Sequence, residues 1–237
     1  MIDFHTHLLP GIDDGSQSLA ETIEIAAEEK RQGICHIVAT PHFYATRSSF
    51  DTFQAKRDAS YHRTAAELAK TPQYPEIILG AEVYYFSKMG NAEMLPKLCI
   101  GNSSFLLLEM PFCQWTDEMA EDIKIIIQKR KITVILAHLE RYIKFQKNKD
   151  VWEEILSFPV IIQLNGEAFL DWRKRRFALK MLESGRDILL GSDCHNMKTR
   201  KPNLEEARAY IRKKLGDEPL NRIDTLGASL LQHFQKA

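Results

Sequence analysis

The chain has 237 residues, with 32 Lys and Arg balanced by 32 Asp and Glu. Apolar residues make up 44% and charged residues 27%, an ordinary globular composition that excludes a disordered chain. The zero formal charge gives no electrostatic ground for a nucleic-acid partner or for binding an anionic membrane surface.

Short β-rich runs alternate with longer stretches of helical periodicity. Strands are expected at Met1–His5, Cys35–Thr40, Glu76–Ala81, Ser104–Glu109, Ile132–His138, Val160–Asn165 and Ile188–Ser192. Helices are expected between them, at Ser18–Gln32, Thr52–Lys70, Asp117–Arg130, Val151–Leu156, Trp172–Ser184 and Asn203–Leu215, with Arg222–Phe234 closing the chain. Ser16 or Ser18 would start the first helix and Gly33 would stop it. No Gly-, Ser- or Pro-rich linker divides the sequence, so residues 1–237 are expected to form one domain. Apolar runs such as Ser104–Glu109 are too short to span a bilayer. Met1 leads directly into Ile-Asp-Phe-His-Thr-His, without the basic and apolar regions of a secretory signal. Cys35, Cys99, Cys113 and Cys194 have neither CxxC nor zinc-like spacing and do not read as a disulfide framework. A soluble, cytoplasmic protein without membrane insertion is the expectation.

Repeated strand–helix alternation means a parallel sheet, either open and doubly wound or closed as a barrel. An open sheet concentrates its functional residues at one crevice, whereas a barrel gathers them from the ends of many strands. Here every expected strand ends in a group able to bind metal or phosphate. The first ends at His5, with His7 and Asp14 following, and the second runs into His42. The third reaches Glu82, the fourth Glu109, and the fifth His138 and Arg141. The sixth ends Gln163-Leu164-Asn165, and the seventh runs through Asp193 to His195. That distribution reads as a barrel with one shared site.

His5 and His7 are two apart, as are Asp193 and His195, so in extended chain each pair faces one side. Carboxylates at the tips of apolar strands, such as Glu109 after Phe105–Leu108, are costly to bury and repel one another unless cations lie between them. Taken alone, His42 and His138 would read as hydrogen-bonded core histidines, and Glu82 and Glu109 as strand-end ion pairs. Seven strand ends together do not. His36, His62 and His233 have no such placement, and Arg173–Arg176 reads as a solvated helix face with Trp172 covering apolar surface. Cys194 to Arg200 matches the Cys-x5-Arg spacing of cysteine-dependent phosphatases, but the intervening residues contain no glycine and Lys201-Pro202 follows. A phosphate cradle at a helix N-terminus is not expected there.

The stretches MIDFHTHLLPGIDDG, ATPHF, GAEVYY, LLLEMPF, AHLERY, LNGEAF and GSDCHN…RKP, in order along most of the chain, resemble the bacterial PHP-type (polymerase and histidinol phosphatase) protein-tyrosine phosphatases, the metal-dependent CpsB/YwqE group of capsular and exopolysaccharide synthesis. The resemblance implies an α/β fold, a distorted (β/α)7 TIM-like barrel, with three divalent metal ions. One would be held by His5, His7, Glu82 and Asp193, a second by Glu82, Glu109 and His138, and a third by Asp14, His42 and His195. Arg141 and Arg200 match the family's phosphate-binding arginines. The sequence departs from the family pattern after Asn165, at Gly166-Glu167-Ala168, and near the C-terminus, where Asp224-Thr225-Leu226-Gly227 suggests a different docking of the last helix.

The donor set of imidazoles and carboxylates points to Mn²⁺ first, with Fe²⁺, Mg²⁺ or Zn²⁺ as alternatives. Against the charges of Asp14, Glu82, Glu109 and Asp193, three divalent ions and a bridging hydroxide leave a net positive site, suited to a phosphate dianion; two ions would not. The reading is a phosphotyrosine phosphatase, its partner a phosphotyrosyl protein such as a bacterial tyrosine kinase tail. His42 and Asp193 are both considered for proton transfer. A histidinol-phosphate-type phosphatase and a non-catalytic binding module are the competing readings.

Overall fold

The computed structural model describes residues 1–71 and 73–234. Its strands are β1 (Ile2–Thr6), β2 (His36–Ala39), β3 (His42–Phe43), β4 (Glu76–Leu79), β5 (Glu82–Tyr84), β6 (Phe105–Glu109), β7 (Thr133–Leu136), β8 (Ile161–Asn165) and β9 (Ile188–Gly191). The helices are α1 (Leu19–Arg31), α2 (Phe50–Leu68), α3 (Asp117–Gln128), α4 (Asp150–Ser157), α5 (Glu167–Leu170), α6 (Arg175–Glu183), α7 (Leu204–Leu215) and α8 (Glu218–Phe234). Seven of the strand segments lie where the sequence places them. β3 and β5 are additional, and each continues the strand before it across a two-residue break. Pro41, which has no N–H to donate, lies in the first break, and Gly80 in the second. The ladder survives both, because Gly80 N–H donates to Ala39 O (2.9 Å) and Glu82 N–H to Pro41 O (3.1 Å).

All strand pairs are parallel. Pairing runs β1-β2-β4 in one sheet and β3-β5-β6-β7-β8-β9 in the other, and the two sheets share the interrupted strands. Asp193 N–H donates to His5 O (2.7 Å) and His7 N–H to Cys194 O (2.8 Å), joining the end of β9 back to β1. Parallel hydrogen bonding therefore passes around seven strands and returns to its start, as expected for the barrel.

One apolar residue from each of these seven strands, Phe4, Val38, Ile78, Leu107, Ile135, Ile161 and Leu189, enters a common inner cluster. Leu230 and Phe234 of α8 join it and close its N-terminal end. A Cβ on Gly227 would stand 3.1 Å from the Phe4 ring, so glycine lets α8 lie close against β1. That is the structural use of the departure at Asp224–Gly227. Neighbouring strand residues such as Ile37, Leu108, Leu136 and Leu164 face outward into the larger core beneath the helices. Burial on both faces explains why the strands are nearly continuous in apolar residues.

Helix ends follow local chemistry. The Ser18 hydroxyl accepts from Glu21 N–H at 3.2 Å and caps α1, and Gly33, with φ +82°, ends it in the left-handed region. α8 begins earlier than its periodicity suggests, because Pro219 occupies its first turn, where a missing N–H costs nothing. α5 is a single turn immediately after β8, formed by the segment that departs from the family pattern.

Candidate metal centre

The register of β1 against β2 slips between Asp3 and Thr6. Consecutive residues thus both turn inward: Phe4 joins the apolar cluster, and the His5 ring lies above it against Gln163. Gly191 is required at this level, since a Cβ there would stand 2.5 Å from that of His5 and 2.8 Å from Gln163 Nε2. His138 (φ +32°) and Asp193 (φ +53°) end their strands in the left-handed region. For non-glycine residues this costs of order 1 kcal/mol or more, a strain typical of functional sites.

All nine sequence-predicted ligands gather at this C-terminal rim. His5 Nε2 and His7 Nε2 are 3.2 Å apart, and Glu82 Oε2 lies 3.1 and 3.2 Å from them. Asp193 Oδ1 completes this group at 3.7 and 3.4 Å. His138 Nε2 lies 2.8 Å from Glu82 Oε1 and 3.7 Å from Glu109 Oε1. Asp14 Oδ1 stands 3.5 Å from His195 Nε2 and 3.8 Å from His42 Nε2. Two residues reach further than the family pattern suggests. His42 Nδ1 faces Glu82 Oε2 (3.0 Å) and Glu109 Oε2 (3.6 Å), and His7 stands with Asp14, His42 and His195 in one group of converging ligand atoms.

The orientation of three imidazoles is fixed from behind. His7 Nδ1 lies 2.7 Å from Asp13 Oδ2, His5 Nδ1 lies 3.0 Å from Gln163 Oε1, and His195 Nδ1 lies 3.0 Å from the Asp193 carbonyl. Gln163 Oε1 also accepts the His138 backbone N–H (2.7 Å), which identifies it as the oxygen. Each Nδ1 therefore donates, and each Nε2 presents a lone pair inward. Asp13 and Gln163 are thus functional positions that sequence reasoning left out of the ligand set. Gln163 stands at a strand end, but Asp13 is separable from Asp14 only by its contact with His7.

These donors fit metal ions. Glu82 Oε2, Glu109 Oε2, His42 Nδ1 and His195 Nε2 are buried and lack a well-formed hydrogen bond among the described residues. Acceptors packed this closely need protons or cations between them. The burial of His5 and His7 opposes protonation, yet carboxylates outweigh it and raise both: Glu82 and Asp193 for His5, and chiefly Asp13 for His7. Conversely, Glu82 and Asp193 are held well below the usual carboxylate range despite burial, with His5 foremost for both. Burial, with repulsion from Glu82, pushes Glu109 up to about 7.

Both arginines reach the cluster. Arg141, in the 3-10 turn after His138, places its Nη2 2.5 Å from Asp193 Oδ2, and Arg200 Nη2 lies 2.8 Å from Asp193 Oδ1. Asn165 Nδ2 adds a third donor to that carboxylate at 2.9 Å. Cys194 is fully buried, and burial with the nearby Glu29 and Asp3 carboxyls pushes its thiol far up, away from the thiolate. Asn196 Oδ1 accepts the backbone N–H groups of Lys198 and Thr199, so the following loop does not hold a free phosphate cradle. His36, His62 and His233 stand outside the cluster. Trp172 corrects an expectation: it covers no core surface but is 68% exposed, with the Arg173 guanidinium 5.1 Å above its ring.

A closed parallel α/β ring with imidazoles and carboxylates converging at its C-terminal rim defines the class of protein. The chain belongs to the CpsB/CapC family of capsular polysaccharide synthesis, whose model matches residues 1–231. It is 29% identical over 246 residues to a tyrosine-protein phosphatase CpsB of Streptococcus agalactiae serotype III (strain NEM316), covering 99% of this chain and 100% of that one. It is 27% identical over 229 residues to the tyrosine-protein phosphatase YwqE of Bacillus subtilis (strain 168), covering 92% and 86%. Among solved structures, one described with YwqE from Bacillus subtilis and CpsB from Streptococcus pneumoniae as unique metal-dependent tyrosine phosphatases superposes with a TM-score of 0.83, at 25% identity, over 100% of this chain and 96% of that one.

Proposed function

We propose that the chain is a metal-dependent protein-tyrosine phosphatase that regulates a bacterial tyrosine kinase of capsular or exopolysaccharide synthesis, with that kinase's phosphotyrosyl tail as substrate. The observation that carries this reading is the inward set of imidazole lone pairs, those of His5, His7 and His195 anchored from behind, meeting buried carboxylates beside two arginines. The relatives named as tyrosine-protein phosphatases, and the family's association with capsular polysaccharide, support the choice of substrate. No helix among the described residues is long and apolar enough to cross a membrane. Action in the cytoplasm is consistent with four free cysteines, two of them exposed.

Three divalent ions, Mn²⁺ foremost, would be held by His5, His7, Glu82 and Asp193; by Glu82, Glu109 and His138; and by Asp14, His42 and His195. His42 turns Nε2 toward Asp14 and Nδ1 toward Glu82, whereas His7, with Nδ1 held by Asp13, offers Nε2 alone. Such ions would supply positive charge to phosphoryl oxygens and would lower the pKa of water, providing a hydroxide nucleophile near neutral pH. The remaining work falls to the chain. Arg141 and Arg200 present planar donors to the phosphate, a contact lysine would not reproduce in two-point form. Asp193, held ionised by His5, His7 and Arg141, serves as an acceptor and not as a proton donor. His42, partly exposed at the mouth, is the better-placed group to move a proton. A phenolic leaving group, with a pKa of about 10, needs little such help.

Steady-state kinetics on a phosphotyrosyl peptide and on histidinol phosphate, with bound metal measured in the same preparations, test this reading. Metal-dependent turnover favouring the peptide is expected. Preference for histidinol phosphate would replace the protein substrate by a small molecule, and metal binding without turnover of either would leave a binding module.

A further inference from the structure

Beside the metal centre a groove of about 550 Å³ runs across the rim. Arg141 belongs to both: it lines the groove and contacts Asp193. At its near end Phe112 is 42% exposed, a large cost for a phenyl ring left in water. Its ring stands nearly parallel to His138 (16°, centroids 6.1 Å apart) and packs on Tyr142 at 5.3 Å. The ring is therefore held in place at the edge of the site. Further out the groove carries Lys144 and Arg173.

The charges in the groove are unequal in their freedom. Lys174 is engaged by both Glu167 (3.0 Å) and Asp171 (3.7 Å), so its charge is already taken up within that wall and it offers no free cation to a ligand. Glu140 is buried, its carboxyl turned to Asn165 N–H. Lys144 and Arg173 have no carboxylate within ion-pair distance among the described residues, and their cationic ends rest over the rings of Phe145 (4.9 Å) and Trp172 (5.1 Å). Two uncompensated cations at the outlet of a site that accepts an anionic ester favour an anionic neighbour of that ester. A groove of this volume has room for more than one side chain.

We propose that the groove bounded by Phe112, Lys144 and Arg173 binds acidic residues adjacent to the phosphotyrosine of the substrate polypeptide, with Phe112 lying along the path from the site. This rests on the reading of the site as a tyrosine phosphatase. The groove makes specificity a matter of KM for the polypeptide, since Lys144 and Arg173 do not touch the metal cluster.

The test compares kcat/KM of the metal-loaded protein on p-nitrophenyl phosphate, a phosphotyrosyl peptide with neutral flanks and one with acidic flanks. The acidic peptide should exceed the neutral one by about tenfold at moderate salt. The doubly substituted Lys144→Glu/Arg173→Glu protein should lose that preference through KM, while p-nitrophenyl phosphate stays within twofold. A control with Lys129→Glu and Lys213→Glu, exposed positions outside the groove, should retain it. Equal use of both peptides by the unaltered protein, or a preference unchanged by the double substitution, would overturn the proposal. Failure of the unaltered protein to turn over any of the three substrates would instead overturn the phosphatase reading.

Discussion

His7 Nδ1 lies 2.7 Å from Asp13 Oδ2, and the same oxygen accepts the backbone N–H of His42 at 2.8 Å. One carboxylate thus orients an imidazole just beyond β1 and ties it to the start of β3. Gly15 permits the turn that brings Asp13 there, since a Cβ on it would stand 2.3 Å from the His7 carbonyl oxygen.

Asp13→Asn keeps the size of this side chain but removes its charge, so His7 loses the partner that makes its Nε2 a strong donor. Loss of such an orienting group typically weakens metal binding by about 10–100-fold. Titration of the metal-stripped variant with Mn²⁺ should show that loss, with the circular dichroism of the folded protein retained. Unchanged affinity would mean that Asp13 serves the loop and not the imidazole.

A second carboxyl pair lies outside the metal centre. Glu29 of α1 and Asp3 of β1 are fully buried together, and Asp3 Oδ1 accepts the Ser192 N–H at 2.9 Å. Burial, and then repulsion from Asp3, raises Glu29 well above its ordinary value of 4.5. A raised folded-state pKa contributes stability that is present below the unfolded value and is lost as pH rises through the folded one. Glu29→Gln removes that loss and supplies an amide N–H to Asp3 in place of the O–H of the protonated carboxyl. The variant should therefore gain stability relative to the unaltered protein as pH rises above neutrality, read as a higher Tm in buffered thermal melts, and little at pH 4. A Tm difference that does not change with pH would show that the pair does not titrate in this way.

Arg141→Ala isolates phosphate binding from metal binding. Asp193 would keep Asn165 Nδ2 and Arg200 as donors, so metal content should remain intact. Removing a preorganised donor to transition-state charge costs about 10²–10³ in rate. Elemental analysis alongside kcat separates the two roles; metal lost together with activity would place Arg141 in support of the cluster instead.

Much of this site was legible because strand ends in a parallel barrel share one rim, so position along the chain stood in for position in space. His5, Glu82, Glu109, His138 and Asp193 needed no more than that. What could not be read depended on contacts between distant segments. β3 and β5 were not foreseen because the expected strands stop at Thr40 and Ala81, although the ladder crosses both breaks. The role of Asp13 and the double reach of His42 depend on how the first loop folds over the rim. Trp172 misled for a related reason: an aromatic residue beside a basic run has the same composition whether it covers a core or faces water.

Two phosphatase chemistries are written into one stretch, Asp193-Cys194-His195 through Arg200, and substitution separates them. If the metal cluster drives hydrolysis, Cys194→Ser should keep most activity, because the thiol is buried, its Sγ sits 3.9 Å from the Asn196 carbonyl, and its burial holds it protonated. A modest loss is compatible with this, since a smaller side chain can shift the neighbouring ligands slightly. His138→Ala should abolish turnover, because His138 Nε2 stands 2.8 Å from the Glu82 oxygen at the centre of the cluster and no other imidazole faces Glu82 Oε1 at that distance among the described residues. Chelation should do the same, with activity restored by adding Mn²⁺. A cysteine nucleophile would invert the order: the serine variant would be inactive with its metals fully bound, chelation would leave the unaltered protein active, and a phosphocysteine could be trapped by rapid quenching. The buried thiol and the spent backbone N–H groups of the following loop favour the first outcome.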